Sequence, residues 1–296
     1  MTTVTSPSPL ATVLTIAGSD SSAGAGIQAD LKTIHALGGY ALTAITAITA
    51  QNSQGVQQVF SVPASQLKAQ LTSLLADYQI DAIKIGMLGN AEKVHVVAKV
   101  LQANPQIPAV LDPIILSSSS QELLNQEAMS LITQELLPLV ELITPNIPEL
   151  NALLNTDFKG SAKEIPQMLD QLKQRNWPNT LVKGGHSIEA LSIDYLLIPQ
   201  ATEESNNQSY AFPAPRITTD NNHGTGCTLS SAIATQLAYQ RQLPEAVQLA
   251  KNYLQNALIT ADYAQPKYKQ KTPETVRHGG LNHLGQSRLT HQDEEE

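Results

Sequence analysis

The sequence predicts an α/β fold in which a mostly parallel central sheet is covered by helices on both faces. Short apolar or β-rich runs alternate with amphipathic helical patterns along the chain. They include Thr12–Ala17, Val56–Val62, Ala82–Ile85, Ala109–Leu111 and Thr180–Val182. This alternation is typical of strand-helix-strand units and of parallel sheets. Two further β-rich runs, Asp194–Ile198 and Tyr210–Phe212, flank a polar turn. They predict an antiparallel hairpin at one edge of the sheet.

The composition predicts a single folded domain. The chain has 296 residues, of which 42% are hydrophobic, enough for a large buried core. No internal repeat and no change of composition marks a linker, so one domain is expected over residues 11–284. We expect residues 1–10 to be flexible and the acidic tail at residues 285–296 to be disordered.

Charge and cysteine content exclude several classes of function. The formal net charge is −8, from 18 basic and 26 acidic residues, and the absence of a basic cluster argues against nucleic-acid binding. No apolar stretch approaches the length of a membrane span, and the N-terminus has no secretory pattern. The single cysteine, Cys227, allows no intramolecular disulfide and suits a reducing compartment. These features predict a cytoplasmic protein.

The strongest local motif is the segment from Asp220 to Thr228, which leads directly into a helix. Gly224 and Gly226 allow the backbone to bend, so that successive N–H groups around Thr225 can face one point. The start of the helix adds unpaired N–H groups and the positive end of its dipole. This arrangement predicts an anion hole that could hold a phosphoryl group during transfer. A bare Gly-x-Gly is weak evidence, and an ordinary loop is the alternative.

Cys227 lies in the first turn of that helix. A cysteine in this position has a lowered pKa and could act as a base or as an electrostatic partner. The alternative interpretation is a small buried apolar side chain.

A second glycine-rich segment follows the first predicted strand. Gly24 and Gly26 resemble part of a dinucleotide-binding motif, but the third glycine of that motif would fall at Ala29. We therefore reject a Rossmann cofactor site. The loop still lies at the carboxyl end of a strand, where open α/β sheets bind ligands. Asp30, one turn into the helix, could face such a ligand, or it could be a solvated helix residue.

Four further segments place polar residues directly after predicted strands. Gln51 offers a donor and an acceptor side by side, which matches the edge of an aminopyrimidine or an amide. Asn146 and Glu149 stand three apart at a helix start, where oxygen ligands suit Mg²⁺ through water, although Asn146 could simply cap the helix. Asp112 and Lys183 also follow strands, and Lys183 could contact a phosphate. Because the carboxyl ends of parallel strands share one edge of a sheet, these residues predict a single site.

Taken together, these segments resemble the ribokinase-like superfamily, and most closely its hydroxymethylpyrimidine/phosphomethylpyrimidine kinase branch. The resemblance extends from about residue 11 to about residue 263. The motifs that carry it are Thr15–Asp20 with Gly24–Leu31, Ala44–Gly55, Lys84–Leu88, Leu111–Pro113, Leu142–Glu149, Lys183–His186 and His223–Ser230.

The resemblance implies a three-layer α/β/α sandwich and an ATP-dependent kinase of thiamin biosynthesis. The first reaction would phosphorylate the hydroxymethyl group of 4-amino-5-hydroxymethyl-2-methylpyrimidine, and the second would convert the monophosphate to the diphosphate. The pyrimidine would be bound by the counterparts of Gly18, Asp30, Gln51 and Met87. The catalytic turn would consist of Gly224, Thr225, Gly226 and Cys227, with cysteine where sugar kinases of the superfamily carry an aspartate base.

The resemblance also implies the nucleotide site and the assembly. ATP would be bound by Lys183, Asn146, Asp112 and His223, and Mg²⁺ would be held by Glu149 through water. The partners would be the small pyrimidine and ATP, and relatives suggest a homodimer.

The sequence departs from the family pattern in three places, and two alternatives stay open. Ser117–Ser120 and Gln121 replace a lid that usually carries Lys or Thr and a Ser-Gly pair, Ala23 replaces a glycine, and Arg277–Leu284 matches the family's closing segment only in part. One alternative is a pyridoxine or pyridoxal kinase of the same fold. The other is a catalytically weakened pyrimidine-binding module, which the changed lid would explain.

Overall fold

A computed structural model describes residues 9–114, 126–186, 191–200, 208–268 and 277–285. The Ser117–Ser120 segment and the acidic tail after residue 285 lie outside the described residues. The described strands are β1 Thr12–Asp20, β2 Tyr40–Asn52, β3 Gly55–Ser61, β4 Ala82–Ile85, β5 Ala109–Leu111, β6 Leu142–Ile143, β7 Asn179–Val182, β8 Leu191–Leu197 and β9 Ser209–Pro215. The α-helices are α1 Gly26–Ala36, α2 Ala64–Asp77, α3 Ala91–Ala103, α4 Gln126–Leu131, α5 Ile147–Leu154, α6 Ile165–Gln174, α7 Thr225–Ala238 and α8 Leu243–Ile259.

The strands form one sheet in the order β3-β2-β1-β4-β5-β6-β7-β8-β9. The six central strands, from β2 to β7 in that order, are parallel. The predicted hairpin is confirmed, since β8 and β9 pair antiparallel at one edge. The other edge is also antiparallel, because the chain turns back at residues 52–55 and β3 pairs with β2. The sequence pattern predicted the strand at β3 but not its direction.

Helices cover both faces of the sheet. On one face, helices α2 to α6 bury residues such as Leu67, Val97 and Met168 against the sheet. On the other face, α1, α7 and α8 bury residues such as Ile34 and Ile233. The predicted three-layer α/β/α architecture is confirmed. Among the described residues, no helix combines the length and the apolar character that crossing a bilayer requires.

The carboxyl ends of the parallel strands collect polar residues at one edge of the sheet. Asp20 ends β1, Asp112 follows β5 and Lys183 follows β7. Met87 and Asn146 lie a few residues beyond β4 and β6. All five line one large cavity above this edge.

Helix α3 buries an unusual cation. The Lys93 side chain is fully buried, and its Nζ donates to Thr46 O at 2.9 Å and to Ser61 Oγ at 2.7 Å. Both acceptors are uncharged, so burial lowers the pKa of Lys93, which nearby Glu92 opposes. Keeping this ammonium charged inside the protein therefore costs stability.

We expect Lys93→Met to raise the free energy of unfolding at pH 7 by about 1–2 kcal/mol, because it replaces a buried ammonium with an uncharged side chain of similar length. The pKa of Lys93 is lower in the folded than in the unfolded protein, so the cost is present at neutral pH and falls as the pH rises toward the unfolded value. Urea unfolding at pH 7 and at about pH 9.5 should therefore show that the variant gains less unfolding free energy over the wild type at the higher pH. Lys99→Met, on the exposed face of the same helix, is the matched control. A destabilised Lys93→Met variant would contradict this account.

Candidate active site

The turn before α7 depends on a glycine backbone. Gly224 is the N-cap of the helix and has φ 86°, the left-handed region that favours glycine. A side chain here would also overlap the carbonyl oxygen of Gly24, so the two glycine-rich loops are in direct backbone contact. The N–H groups of Thr225, Gly226 and Cys227 open the helix, where no intrahelical carbonyl can pair with them. The turn thus offers several donors and a helix dipole to an anion.

A cation and two carboxylates lie next to this turn. Lys183 Nζ is 2.9 Å from Asp112 Oδ1 and 3.6 Å from Glu149 Oε2. A methyl group placed on Gly226 would lie 3.1 Å from Asp112 Oδ2 and 3.4 Å from Lys183 Nζ. Because Gly226 has no side chain, the N–H groups of the turn can lie next to the ion pair of Lys183 and Asp112.

Burial and ion pairing shift the pKa values of Lys183 and Glu149 in opposite directions. Burial alone would lower the pKa of Lys183, but Asp112 and Glu149 raise it above its ordinary value. Burial also raises the pKa of Glu149, and Lys183 offsets part of that rise. Lys183 thus remains a cation in the site at neutral pH. It is available to pair with a phosphate.

Hydrogen bonds between the segments that follow neighbouring strands hold these side chains in place. Lys183 N–H donates to Pro145 O at 2.9 Å, and Thr144 Oγ1 donates to Asp112 Oδ1 at 3.2 Å. Asn146 caps α5, as the alternative interpretation held: its Oδ1 accepts from Glu149 N–H at 2.8 Å. Glu149 Oε2 in turn accepts from Asn146 N–H at 2.7 Å. The capping box fixes the Glu149 carboxylate toward Lys183.

The structure contradicts the predicted acidity of Cys227. The thiol is buried, with 6% of the residue exposed, and burial raises its pKa to about 11 even though Lys84 opposes the rise. The helix start predicted a lowered pKa, and that prediction is wrong because desolvation outweighs the positive surroundings. At neutral pH the group is a thiol, so it cannot serve as a thiolate base.

We expect the ultraviolet absorbance of a thiolate to be absent from the native protein between pH 7 and about pH 9. Cys227 is the only cysteine of the chain, so subtracting the spectrum of Cys227→Ser isolates its signal. In urea the same titration should move down toward the ordinary cysteine value, because unfolding removes the burial. A thiolate signal in the native protein at pH 7 would contradict the raised pKa.

Another part of the cavity, which we call the ring-binding end after the predicted pyrimidine residues, is formed by the ends of β1 and β2 and the loop after β4. Gly18 and Met87 are in contact there, since a methyl group on Gly18 would lie 2.7 Å from Met87 Cε. Thr46 Oγ1 donates to Met87 O at 2.6 Å and holds this loop against β2. Gln51 lines the same cavity near the end of β2. Its side chain contacts Thr49 Oγ1 at 3.2 Å.

His223 lies beside Gln51 rather than with the residues of the Lys183 cluster. Its Nε2 is 2.9 Å from Asp20 Oδ2 and 3.2 Å from Gln51 Nε2. Because an ionised carboxylate only accepts hydrogen bonds, Nε2 carries a proton and donates it to Asp20. The ring fits only because Gly24 has no side chain, which would overlap it. The ATP-binding role that the resemblance implied for His223 stays a prediction.

Asp20, which was not among the predicted site residues, organises the loop between β1 and α1. Its carboxylate accepts from Ser22 N–H at 2.8 Å and from the backbone N–H groups of Gly24 and Ala25 at 3.1 Å and 2.9 Å. Burial would raise the pKa of Asp20, but the hydrogen bonds from His223, Ser22 and the loop lower it to about 2. An Asp two residues before a Ser in a glycine-rich loop is a turn signal that could have identified it.

Asp30 corrects another expectation, because it does not face the cavity. It is fully buried and accepts from Thr15 Oγ1 at 2.5 Å, from Ser231 Oγ at 2.7 Å and from Lys84 Nζ at 2.9 Å. Burial would lower the pKa of Lys84, but Asp30 raises it above its ordinary value. The hydrogen bonds of the Asp30 carboxylate thus link α1 to β1, β4 and α7 beneath the site. Lys84 was also missed, although a lysine within an apolar strand requires a buried partner.

The two ends of the site belong to one cavity of about 750 Å³. This volume lies within the range of pockets that hold small molecules and cofactors. Its walls include Gly18, Gln51, Met87, Asp112, Asn146, Glu149, Lys183, His223 and the whole Gly224–Cys227 turn. It continues toward α8 and β9, where Lys251, Leu254 and Arg216 line it. The arrangement can hold a polar ring beside Gln51 and a chain of phosphates beside Lys183 and the turn.

Comparisons with known proteins agree with this architecture. The family model described as phosphomethylpyrimidine kinase matches residues 20–272. The chain is 40% identical over 280 residues to a hydroxymethylpyrimidine/phosphomethylpyrimidine kinase of Haemophilus influenzae, covering 94% of this chain and 98% of the relative. It is 43% identical over 249 residues to the corresponding kinase of Escherichia coli, covering 84% of this chain and 91% of the relative.

Solved structures show the same fold. A phosphomethylpyrimidine kinase from Clostridium difficile matches with a TM-score of 0.70 at 36% identity, covering 82% of this chain and 97% of that one. A pyridoxal kinase from Bacillus subtilis, solved as an ADP complex, matches with a TM-score of 0.75 at 30% identity, covering 84% of this chain and 91% of that one. The fold and the site thus define a kinase of the ribokinase-like type. Within that class, the chain belongs to the phosphomethylpyrimidine kinase family.

Proposed function

We propose that the protein phosphorylates 4-amino-5-hydroxymethyl-2-methylpyrimidine with Mg-ATP and then phosphorylates the monophosphate to the diphosphate, in thiamin biosynthesis. The observation that carries this proposal is the shared cavity. The Gly224–Cys227 turn and Lys183 provide a phosphate-binding end, and Gln51 provides a donor and an acceptor for a pyrimidine edge. The single cysteine suits a reducing compartment, so we place the protein in the cytoplasm.

The chemistry follows from the positions of these groups. The hydroxymethyl oxygen attacks the γ-phosphorus, a new P–O bond forms, and the bond to the bridging oxygen breaks to release ADP. We propose that the hydroxyl proton passes to the phosphate oxygens, since burial raises the pKa of Cys227 and so disfavours the thiolate that a base would need. Phosphoryl transfer depends mainly on positioning and on neutralising charge. The N–H groups of the turn and the Lys183 ammonium supply both.

The acidic residues of the cluster fit a magnesium ion held through water. Asp112 and Glu149 both lie within 4 Å of Lys183 Nζ and supply carboxylate oxygens, the ligands that Mg²⁺ prefers. Among the described residues, no group of three or more His, Cys, Asp and Glu could hold a metal ion by itself. Water and nucleotide phosphates would therefore complete its ligand shell. When bound, Mg²⁺ neutralises charge on the transferring phosphate.

A pyridoxal kinase is the second candidate, because several of the similar solved structures are pyridoxal kinases. A pyridoxal kinase from Staphylococcus aureus, in complex with AMP-PCP and pyridoxal, matches with a TM-score of 0.78 at 29% identity. Gln51 favours the aminopyrimidine, because pyridoxal lacks the exocyclic amine from which the amide oxygen could accept a hydrogen bond. The complete Lys183, Asp112 and Glu149 cluster argues against a module that binds without turnover.

The direct test incubates the purified protein with Mg-ATP and with the pyrimidine alcohol, its monophosphate or pyridoxal. ADP release and product mass are followed for each. We expect turnover on the pyrimidine alcohol and on its monophosphate. Turnover on pyridoxal alone would overturn the proposal in favour of the second candidate, and binding without ADP release would support the weakened module. Light scattering of the same sample tests the homodimer that we also propose.

We expect Gln51→Ala to raise the KM for the pyrimidine by about tenfold or more and to leave the KM for ATP unchanged. The physical reason is that a buried polar edge of the substrate would lose its partner, which costs about 1–3 kcal/mol. Gln58→Ala, on the exposed strand β3, is the matched control. An unchanged KM for the pyrimidine would remove Gln51 from the ring-binding role.

A further inference from the structure

We infer that residues 277–285 act as a strap that positions the ring-binding end of the site, with Gly279 as its positioning residue. This inference rests on the proposed function. His278 N–H donates to Ser53 O at 2.8 Å, in the turn that follows β2. Gly279 O accepts from His223 N–H at 3.0 Å, and Gly279 N–H donates to Asp220 O at 3.2 Å. The strap thus joins the β2–β3 turn to the segment that leads into the phosphate-binding turn.

The far end of the strap is anchored on helices α7 and α8. Asn282 N–H donates to Ala257 O at 3.2 Å, and His283 O accepts from the Tyr253 hydroxyl at 2.8 Å. His283 Nε2 lies 3.1 Å from Thr228 Oγ1, one residue beyond Cys227. Both Asn282 and His283 are buried. The strap therefore has a fixed base from which it can hold two loops.

The two loops that the strap joins carry the polar groups of the ring-binding end. Gln51 stands two residues before Ser53, and His223 is itself bound to the strap. The Gln51 amide and the His223 ring lie 3.2 Å apart, although they are far apart in the sequence. The strap bonds each of their segments within two residues of these side chains. It therefore sets the separation of the two groups that face the substrate ring.

Two adjacent glycines of the strap have different surroundings. A side chain on Gly279 would overlap Asn221 Oδ1 and Gln265 Oε1, so alanine there must displace these two side chains. Gln265 Nε2 also donates to Gly280 O at 2.8 Å, so its displacement disturbs a contact that holds the strap. A methyl group on Gly280 would make only an ordinary contact, 3.6 Å from Gly24 Cα. Neither glycine has a backbone conformation that excludes alanine. Gly279→Ala and Gly280→Ala are therefore a matched pair in which only the first disturbs the side chains that hold the strap.

The test measures steady-state kinetics of both variants in the full chain, with each substrate varied in turn. We expect Gly279→Ala to raise the KM for the pyrimidine about tenfold or more and to leave the KM for ATP within about twofold, while Gly280→Ala resembles the wild type. A general loss of structure would instead raise both KM values, or would lower the melting temperature without changing either KM. If Gly279→Ala is folded and its KM for the pyrimidine is unchanged, or if both KM values rise equally, the inference is wrong.

A second variant covers the case in which Gly279→Ala does not fold. Tyr253→Phe removes one anchor of the strap on α8, and Tyr253 is absent from the walls of the cavity. We expect a smaller rise in the KM for the pyrimidine with no change for ATP, and an unchanged KM would overturn the inference. Wild-type protein that phosphorylates pyridoxal but not the pyrimidine would refute the proposed function alone. The strap is then tested by the same comparison of KM values with pyridoxal.

Discussion

Lys183→Met is expected to lower kcat by about a hundredfold or more, the effect of removing one strong electrostatic contact from a transition state. Lys183 is the cation beside the anion hole, and it lies 2.9 Å from Asp112 Oδ1 and 3.6 Å from Glu149 Oε2. Without it, these two carboxylates would repel the triphosphate instead of sharing a cation with it. Methionine keeps most of the side-chain volume, so packing is preserved.

The measurement is the rate of ADP release at saturating pyrimidine and Mg-ATP. Lys68→Met serves as the control, because Lys68 is exposed on α2, outside the cavity. Circular dichroism and a thermal melt show whether the variant is folded. A folded Lys183→Met variant with a kcat within about threefold of the wild type would contradict the role of Lys183 in transfer.

Gly224→Ala is expected to reduce turnover by a similar factor, for a different reason. The alanine would require a left-handed backbone and would overlap the carbonyl oxygen of Gly24. The turn must then move, which carries the N–H groups of Gly226 and Cys227 away from the transferring phosphate. Loss of such donors costs about two to three orders of magnitude in kcat.

Gly226→Ala provides the graded comparison. Gly226 lies within the helical first turn, and its added methyl group would be 3.1 Å from Asp112 Oδ2. This is a tight contact without a forced change of backbone conformation, so we expect a smaller loss of turnover than for Gly224→Ala. Equal activity of Gly224→Ala and the wild type would show that the turn does not cradle the phosphate.

Much of the fold could be predicted because strand and helix periodicities are local properties of the chain. The strands Ala82–Ile85 and Ala109–Leu111 have the predicted bounds, and the hairpin of β8 and β9 was expected from its polar turn. The direction of β3 could not be predicted in this way. It depends on how residues 52–55 turn, which a run of β-forming residues does not specify.

The expectations that failed at the site depend on contacts between distant parts of the chain. Asp30 is held by Lys84, which lies 54 residues further along, and this pairing draws the carboxylate beneath the cavity. Local spacing does not reveal the neighbours of His223 either: it donates to Asp20 and lies 3.2 Å from the Gln51 amide, and both are distant in the sequence. The pKa of Cys227 depends on burial, whereas the sequence shows only that a helix begins there. Burial is a property of the assembled fold.

The most direct test of the central claim is a crystal structure of the protein with the pyrimidine alcohol and a non-hydrolysable ATP analogue. The account predicts that the terminal phosphate lies within hydrogen-bond distance of the N–H groups of the Gly224–Cys227 turn, with Lys183 beside it. It predicts that the pyrimidine edge contacts Gln51 and that the hydroxymethyl group points at the phosphate. A phosphate bound away from the turn, or a ring bound away from Gln51, would contradict it.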